Sequence, residues 1–367
     1  RGDIFIEPLS DSARQRMVEK RPVRLVKSEA GAVLEPIDDP EQVVKLVGQA
    51  GSFDVVNEFG VSLDRADATD ISTQMAIAAG IDALRDAGIP LVMNYRLTSK
   101  GSYLPNRWML PEALADETGV IFASAFPGLN RMAEAAAAYY DYEHVLLQVE
   151  ELGTLLSAIP SDQKESRTVV ETRIAALKDK LTALDYNFDR KFVFRVLAMG
   201  HSQFAEHIGA RGPNTHVNAA CASTTHAVAI AEDWIRAGRC RRVVVISGDD
   251  VTRDNLISWV GTGMFVSGAA TTEGDMRQAV LPFDRRRNGL IMGMGAAALV
   301  VESEDALRER GMTAICEILA SQTANSAFHG TRLDVDHVSK VMDRLMQQAE
   351  DRFGISRKEI APSMTFV

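Results

Sequence analysis

The chain has 367 residues, of which 46% are hydrophobic and 25% are charged, and its formal net charge is −10. This composition predicts an ordinary globular protein with a sizeable core. It argues against a general nucleic-acid binder, because the basic clusters at 239–242 and 285–287 are short. Three cysteines without paired spacing, and no Cys/His cluster, predict neither a disulfide framework nor a metal site. We therefore expect no metal cofactor, a reducing cytoplasmic compartment, and no membrane span, since no run is long and apolar enough.

Residues 1–50 carry short apolar runs and a proline-spaced acidic stretch at 35–40. This pattern is typical of a connecting segment rather than of a core element. We predict that 1–50 is an upstream linker or tail. Because the first residue is not methionine, we expect the chain to be a piece of a larger polypeptide.

The first strong elements follow this segment. An apolar stripe over 70–87, stopped by Gly88, predicts a helix whose N-cap is Asp67 or Thr69. The apolar run 118–126 predicts a buried strand. A strand followed by further helical patterns is the start of an α/β arrangement.

An Ala-rich helix is predicted at 131–140, and after it the pattern changes. Over about 142–184, two amphipathic stretches are separated by a break at Pro160, which predicts an inserted helical hairpin. Two interpretations stay open: packing against the parent domain, or a stalk that contacts a second subunit or a neighbouring domain.

The central unit of the chain is a strand, a helix and a second strand, predicted at 214–219, 222–237 and 243–246. Cys221 falls at the first turn of this helix, where unpaired N–H groups and the positive end of the helix dipole favour a thiolate. Position alone leaves two interpretations open, a nucleophile or an inert core cysteine.

The segment 255–270 is too glycine-rich for a regular helix and too apolar for an exposed loop, so we predict that it lines a pocket for an apolar chain. The run 282–289 is turn-rich. Neither a Gly-x-Gly-x-x-Gly nor a Walker-type motif is present, which leaves nucleotide-binding folds without support. The remaining predictions are strands at 296–302 and 315–319, a helix at 304–310 capped by Ser303, a helix at 338–353 ended by Gly354, and the start of a strand at 364–367.

Several motifs resemble one family in order and spacing. Ala220-Cys221-Ala222-Ser223 resembles the active-site cysteine motif of β-ketoacyl synthases, the condensing enzymes of the thiolase superfamily. Three further motifs of that family have counterparts here. Residues 209–214 resemble its Gly-x-x-Gly-Pro motif, 282–296 its Pro-Phe-Asp loop, and 306–311 its Ala-x-x-Arg-Gly helix end. The chain is most similar to synthase domains embedded in multidomain fatty-acid or polyketide synthases.

The resemblance implies a thiolase-like α/β fold, a layered αβα sandwich, of which this chain holds mainly the N-terminal half. On this basis we assign 51–330 to that half and 331–367 to the start of a truncated C-terminal half. The implied activity is decarboxylative Claisen condensation of an acyl group on Cys221 with a malonyl-type extender. The implied partners are acyl carrier protein, whose phosphopantetheine holds the substrates, a second copy in a homodimer, and neighbouring domains. No other cofactor is implied.

The family uses two histidines from its second half, and by order and spacing these are expected beyond Val367. We therefore expect the chain alone to be inactive in condensation. His329 lies too early to be the first of them and is expected to be non-catalytic. His226 lies off the face of Cys221, and His201 is expected to be a hydrogen-bonded core residue.

The acidic residue of the family's Gly-Glu-Gly motif is replaced here by Met294. Asp284 with Arg286 or Arg287 is expected to form an ion-paired structural loop. Two other functions stay open: a non-catalytic ketosynthase-like scaffold or chain-length partner, and a thiolase-like acyltransferase that uses coenzyme A. The first would be favoured if the natural polypeptide also lacked both histidines.

Overall fold

The computed structural model describes residues 4–28, 31–328 and 332–365. Its strands are β1 (Ile4–Pro8), β2 (Val23–Ser28), β3 (Gly31–Pro36), β4 (Leu46–Ala50), β5 (Val92–Leu97), β6 (Tyr103–Met109), β7 (Thr118–Ala123), β8 (Asn214–Val217), β9 (Arg242–Asp250) and β10 (Met292–Glu302). Its helices are α1 (Asp11–Glu19), α2 (Leu63–Asp67), α3 (Ile71–Asp86), α4 (Glu112–Ala115), α5 (Leu129–Ala158), α6 (Lys164–Leu184), α7 (Phe192–Val196), α8 (Gly200–Ile208), α9 (Ser223–Arg236), α10 (Asp254–Val266), α11 (Glu304–Glu309), α12 (Val335–Phe353) and α13 (Arg357–Ile360).

A six-stranded mixed sheet with the order β1-β4-β10-β9-β7-β8 forms the centre of the fold. Strands β8, β7 and β9 run parallel, and β10 is antiparallel to β9. All residues of β7 are buried, and successive side chains point to opposite faces. Val120 and Phe122 pack in a core with α3 and α8, whereas Ile121 and Ala123 pack in a second core with α9. The result is the predicted α/β sandwich with a helical layer on each face.

The N-terminal segment differs from the predicted linker. Strands β1 and β4 are part of the central sheet, and α1 packs against α10. Met17 and Val43 are fully buried in a core with Ile257 and Phe265. The sequence pattern concealed this because each strand has only five residues and the core partners of the segment lie much later in the chain, at 251–292.

The inserted hairpin is formed by α5 and α6. The predicted Ala-rich helix and the first arm of the hairpin are one continuous helix of 30 residues. Val145 and Leu177 are the buried apolar side chains of these two helices. The outer part of the hairpin therefore extends away from the core.

Three further predictions are corrected by the structure. The segment predicted as irregular forms helix α10, because Gly261 allows a close approach: a Cβ there would lie 2.8 Å from the Cε of Met17. The strand predicted at 315–319 is absent, and Ile315 is 93% exposed with no strand paired to it among the described residues. The N-cap of α3 is Asp70, whose carboxylate accepts a hydrogen bond from the Thr73 N–H.

The remaining elements follow the predictions closely. Ser303 is the N-cap residue of α11, and α12 ends at Gly354 in the left-handed conformation. The strand start predicted at 364–367 lies partly outside the described residues, and Met364 and Thr365 belong to no strand. Over the described ranges, none of the helices combines the length and hydrophobicity that crossing a bilayer requires.

Candidate active site

Cys221 lies in the connection between β8 and α9, and its side chain is exposed. It stands two residues before the first helical residue, Ser223, and just before the N-cap Ala222, whereas the prediction put it inside the first turn. No side chain caps the helix, and the Ala222 and Ser223 N–H groups donate to the Ala219 and Ala220 carbonyls, both at 3.1 Å. Cys221 thus lies at the positive end of the α9 dipole.

The residue before the cysteine, Ala220, has a φ of +50°, in the left-handed region that disfavours a side chain by about 1 kcal/mol. Three hydrogen bonds hold it there. The Ala220 N–H donates to Asn218 Oδ1 at 3.1 Å, and Ser223 Oγ donates to the Ala220 carbonyl at 2.6 Å. Ser223 Oγ also accepts from the Ala219 N–H at 2.9 Å. We call residues 218–223 the nucleophile loop, and these bonds fix its shape.

A second loop, 124–126, follows β7 and lies beside the nucleophile loop. Asn218 Nδ2 donates to the Ala125 carbonyl at 3.1 Å, so both ends of the Asn218 amide are used. At the end of β9, the Asp249 carboxylate accepts from Ser124 Oγ at 2.7 Å and from the Phe126 N–H at 2.9 Å. The carboxyl ends of three parallel strands thereby meet at one edge of the sheet.

Sequence reasoning identified Cys221 but not Asn218, Ser223 or Asp249 as members of the site. The only sequence signal for Asn218 and Ser223 was a short polar side chain close to the cysteine, a type that often bonds to nearby backbone. For Asp249 no local signal exists, because its partners lie in loop 124–126, far away in the chain.

Two histidines lie under this edge of the sheet. His216 of β8 contacts the ring of Phe122, with ring centroids 5.5 Å apart, and burial lowers its pKa. Burial lowers the pKa of His201 as well, and the nearby His216 adds to this effect. Each ring has a buried nitrogen without a hydrogen-bond partner in the described structure, and neither histidine bonds to Cys221 there. Burial therefore disfavours the protonated form of both rings.

Among the residues that the structure describes, no other histidine forms a hydrogen bond with Cys221. His226 lies half-buried on α9, one turn after the cysteine. His329 lies outside the described residues, so its non-catalytic role stays a prediction. In the parts of the chain that the structure describes, no three His, Cys, Asp or Glu residues are grouped so as to hold a metal ion.

The remaining singled-out residues lie near the sheet or in the loop before β10. Met294 is buried and pairs in register with Asp250 across β10 and β9. Asp284 forms the predicted ion pair with Arg286 at 2.9 Å, and this contact lowers the pKa of Asp284. Arg287 donates to the Asp284 carbonyl at 3.2 Å.

A cavity of about 740 Å³ lies at the same edge of the sheet. Leu256 of α10 lines it, so one residue of the segment predicted to line a pocket does so, but Cys221 is not part of the wall. The other lining residues are Gln49, Ala50, Gly51, Ser52, Phe53, Ile71, Gln74, Asn130, Glu134, Thr252, Arg253 and Met294.

Part of the chain is similar to a known family model and to curated proteins. Residues 162–306 match the family model of the β-ketoacyl synthase N-terminal domain. The chain is 32% identical over 187 residues to the tetracenomycin polyketide synthase ketoacyl synthase alpha subunit of Streptomyces glaucescens, covering 50% of this chain and 42% of that protein. It is 31% identical over 162 residues to 3-oxoacyl-[acyl-carrier-protein] synthase 2 of Staphylococcus aureus, covering 44% and 39%. The chain thus spans about two fifths of the length of these relatives.

Solved structures share the fold over most of the chain. A β-ketoacyl synthase from Burkholderia phymatum STM815 aligns with a TM-score of 0.56 and 17% identity, covering 91% of this chain and 65% of that one. The ishigamide ketosynthase/chain length factor aligns with a TM-score of 0.52 and 18% identity, covering 95% and 66%. A type II polyketide ketosynthase in complex with its acyl-carrier protein aligns at 0.50 and 20% identity, covering 86% and 60%. The fold is the predicted thiolase-like one.

Proposed function

Because residues 162–306 match the family model of the β-ketoacyl synthase N-terminal domain, we propose that Cys221 is the acyl-carrying nucleophile of such an enzyme. The observation that carries the proposal is the geometry of the nucleophile loop. An exposed cysteine directly precedes an uncapped helix, and hydrogen bonds at Ala220 fix its backbone. A cysteine kept only for packing needs neither exposure nor a fixed left-handed turn before it.

In the loading step, the Cys221 thiolate attacks the carbonyl carbon of an acyl thioester held on the phosphopantetheine of acyl carrier protein. A new carbon–sulfur bond forms, the bond to the pantetheine sulfur breaks, and the released thiolate takes up a proton. We assign stabilisation of the tetrahedral oxyanion to the backbone N–H of Cys221. No cofactor beyond phosphopantetheine is needed for this step.

In the condensation step, a malonyl-type extender loses carbon dioxide and its α-carbon attacks the Cys221 thioester carbonyl. A carbon–carbon bond forms, the acyl–sulfur bond breaks, and Cys221 is restored. The part of this reaction that the described residues support directly is the loading of Cys221.

The same proposal includes the partners. Strand β8 is a four-residue edge of the sheet, which suits pairing with a second copy in a homodimer. Acyl carrier protein is the proposed donor, and one structural neighbour is a ketosynthase in complex with such a protein. Neighbouring synthase domains complete the proposed assembly. Three free cysteines, two of them exposed, favour a reducing compartment such as the cytoplasm.

Two rival functions lead to different outcomes at Cys221. A non-catalytic chain-length partner would leave Cys221 without an acyl group, and one structural neighbour does include a chain length factor. A thiolase-like acyltransferase would load Cys221 from coenzyme A. The presence of an exposed, backbone-fixed cysteine favours a loading enzyme over the partner.

The test is intact-protein mass spectrometry after incubation with an acyl-carrier-protein thioester. We expect one acyl group on the parent and on Cys316→Ala, which removes the other exposed cysteine, and none on Cys221→Ala. If Cys221→Ala were acylated as much as the parent, the proposal would be contradicted. Faster loading from acyl-coenzyme A than from the carrier protein would favour the thiolase-like rival.

A further inference from the structure

Asp249 lies at the end of β9, and within the described residues its side chain bonds only to loop 124–126. It accepts from Ser124 Oγ at 2.7 Å, from the Ala125 N–H at 3.0 Å and from the Phe126 N–H at 2.9 Å. Hydrogen bonds to a carboxylate are stronger than those between neutral groups. The carboxylate thus holds three consecutive residues of one loop in a single arrangement.

Within the described structure, the Asn218 amide is the side chain that hydrogen-bonds that loop to the nucleophile loop. The Ala125 carbonyl accepts from Asn218 Nδ2, and Asn218 Oδ1 accepts from the Ala220 N–H, both at 3.1 Å. Since both ends of the Asn218 amide are used, its position depends on where loop 124–126 places the Ala125 carbonyl. A shift of this loop is passed on to the residue directly before Cys221.

The other bonds of the two loops do not duplicate this connection. The Ser124 N–H donates to the Val217 carbonyl at 3.3 Å, which ties the loop to β8 before the nucleophile loop begins. Ser223 bonds to Ala219 and Ala220 inside the nucleophile loop. Thr224, directly after the nucleophile loop, also bonds to β9, since its Oγ1 lies 2.9 Å from Ser247 Oγ. Among the described residues, the path from Asp249 through Ala125 and Asn218 is the hydrogen-bonded one that reaches Ala220, before the cysteine.

We propose that Asp249 is a positioning residue for Cys221 and acts through loop 124–126 and Asn218. The proposal rests on the proposed function, in which Cys221 accepts an acyl group. Asp249 itself contacts neither the substrate nor the sulfur. Its role is to keep Ala220 left-handed and the sulfur in line with the uncapped start of α9.

The first experiment is a double-mutant cycle on the rate of acyl loading from acyl carrier protein. We expect Asp249→Asn and Asn218→Ala each to slow loading about tenfold, because small misplacements of a reacting group are costly. The double variant should be little slower than either single variant, since both break one path. If the two residues had only separate structural roles, the two rate reductions would multiply in the double variant, and that result overturns the proposal. A loading rate for Asp249→Asn within about twofold of the parent overturns it as well.

Asp54→Asn is the matched control. Asp54 accepts from the Val56 and Asn57 N–H groups in another loop and has no bond to the nucleophile loop. It should lower the melting temperature as Asp249→Asn does, yet load at the parent rate. Slowed loading in Asp54→Asn would assign the effect to general stability and contradict the proposal.

A second readout separates this proposal from the proposed function. In a Cys316→Ser background, iodoacetamide alkylation of Cys221 needs no acyl donor. We expect Asp249→Asn to slow it at least about threefold, because the sulfur moves away from the helix start, and Asn218→Ala to add little more. If the parent is alkylated but not acylated, the proposed function fails, and the alkylation rates alone then test the positioning role of Asp249. An alkylation rate that is unchanged in Asp249→Asn overturns that role.

Discussion

Arg242 and Glu302 face each other across β9 and β10 and form an ion pair in which both side chains are almost fully buried, at 2% and 5% exposure. Arg242 Nε lies 2.9 Å from Glu302 Oε1, and Arg310 Nη2 lies 2.7 Å from the other carboxylate oxygen. Arg310 also donates to the carbonyls of Ala87 and Gly88, at the end of α3. One carboxylate thus connects two strands with the end of a helix, at the start of β9, away from Cys221.

Glu302→Gln should be strongly destabilising, because it leaves the Arg242 charge buried without a carboxylate partner. We expect a loss of about 3 kcal/mol in the free energy of unfolding, measured by urea denaturation. Glu304→Gln is the control, since that carboxylate pairs with Arg308 at the surface, and should change stability by less than about 0.5 kcal/mol. A loss below about 1 kcal/mol for Glu302→Gln would show that the buried pair is not needed.

Two helical glycines should respond to alanine in opposite directions. A Cβ at Gly80 of α3 would lie 2.5 Å from the Phe204 ring and 2.7 Å from the Ile246 side chain. Gly80→Ala should therefore cost about 1 to 3 kcal/mol by overpacking, despite the better helix propensity. A Cβ at Gly263 of α10 meets nothing within 4 Å, so Gly263→Ala should gain up to about 1 kcal/mol. Thermal melts of both variants check this contrast, and equal shifts would contradict the packing of α3 on β9.

Stability should fall in mild acid because of His207. This residue is buried in α8, and burial together with the charges of Arg65 and Arg107 lowers its pKa to about 4. The unfolded chain, with a pKa near 6.5, binds more protons between these values, so the contribution is complete above pH 6.5 and is lost as the pH falls toward 4.

From pH 7.5 to 5 the loss should be about 2 kcal/mol from His207 alone. Urea denaturation at several pH values measures it, and His207→Gln should show a flatter pH dependence. Part of the slope should remain in that variant, because burial lowers the pKa of His201 and His216 too. Identical slopes in parent and variant would mean that His207 is not buried in the neutral form.

The outer part of the hairpin should be dispensable for folding. None of residues 150–172 is buried, so replacing them with a short Gly-Ser linker should change the free energy of unfolding by less than about 1 kcal/mol. Val145→Ala, at the buried base of α5, should cost more, about 1 to 2 kcal/mol. Calorimetry on both variants makes the comparison. A large loss on truncation would show that the tip is part of the core.

The elements predicted best are those whose pattern is complete in one stretch. Strands β7 and β9 are continuous apolar runs, and α9 shows regular helical spacing, so the sandwich around them could be predicted. The N-terminal strands could not, because each has only five residues, the side chains of β1 stay exposed, and Val47 of β4 acquires a core only beside α10. The glycines of α10 suggested a loop, but Gly261 is explained by Met17, which contacts it from the far end of the chain.

At the site, a cysteine before a helix and its surrounding motif were readable from the sequence. The hydrogen bonds around it were not, because they depend on a left-handed Ala220. Alanine gives no signal for a positive φ, unlike glycine. The role of Asp249 required knowing that the ends of β7 and β9 are neighbours.

Asn218 also links the site to the chemical ageing of the protein. Hydrolysis of its amide to a carboxylate would leave the bond from the Ala220 N–H in place but would replace the donor that faces the Ala125 carbonyl with a negatively charged acceptor. The new carboxylate oxygen would then repel the Ala125 carbonyl oxygen, where a hydrogen bond now joins the nucleophile loop to loop 124–126. A protein with its cysteine intact and its fold unchanged could lose reactivity in this way during storage.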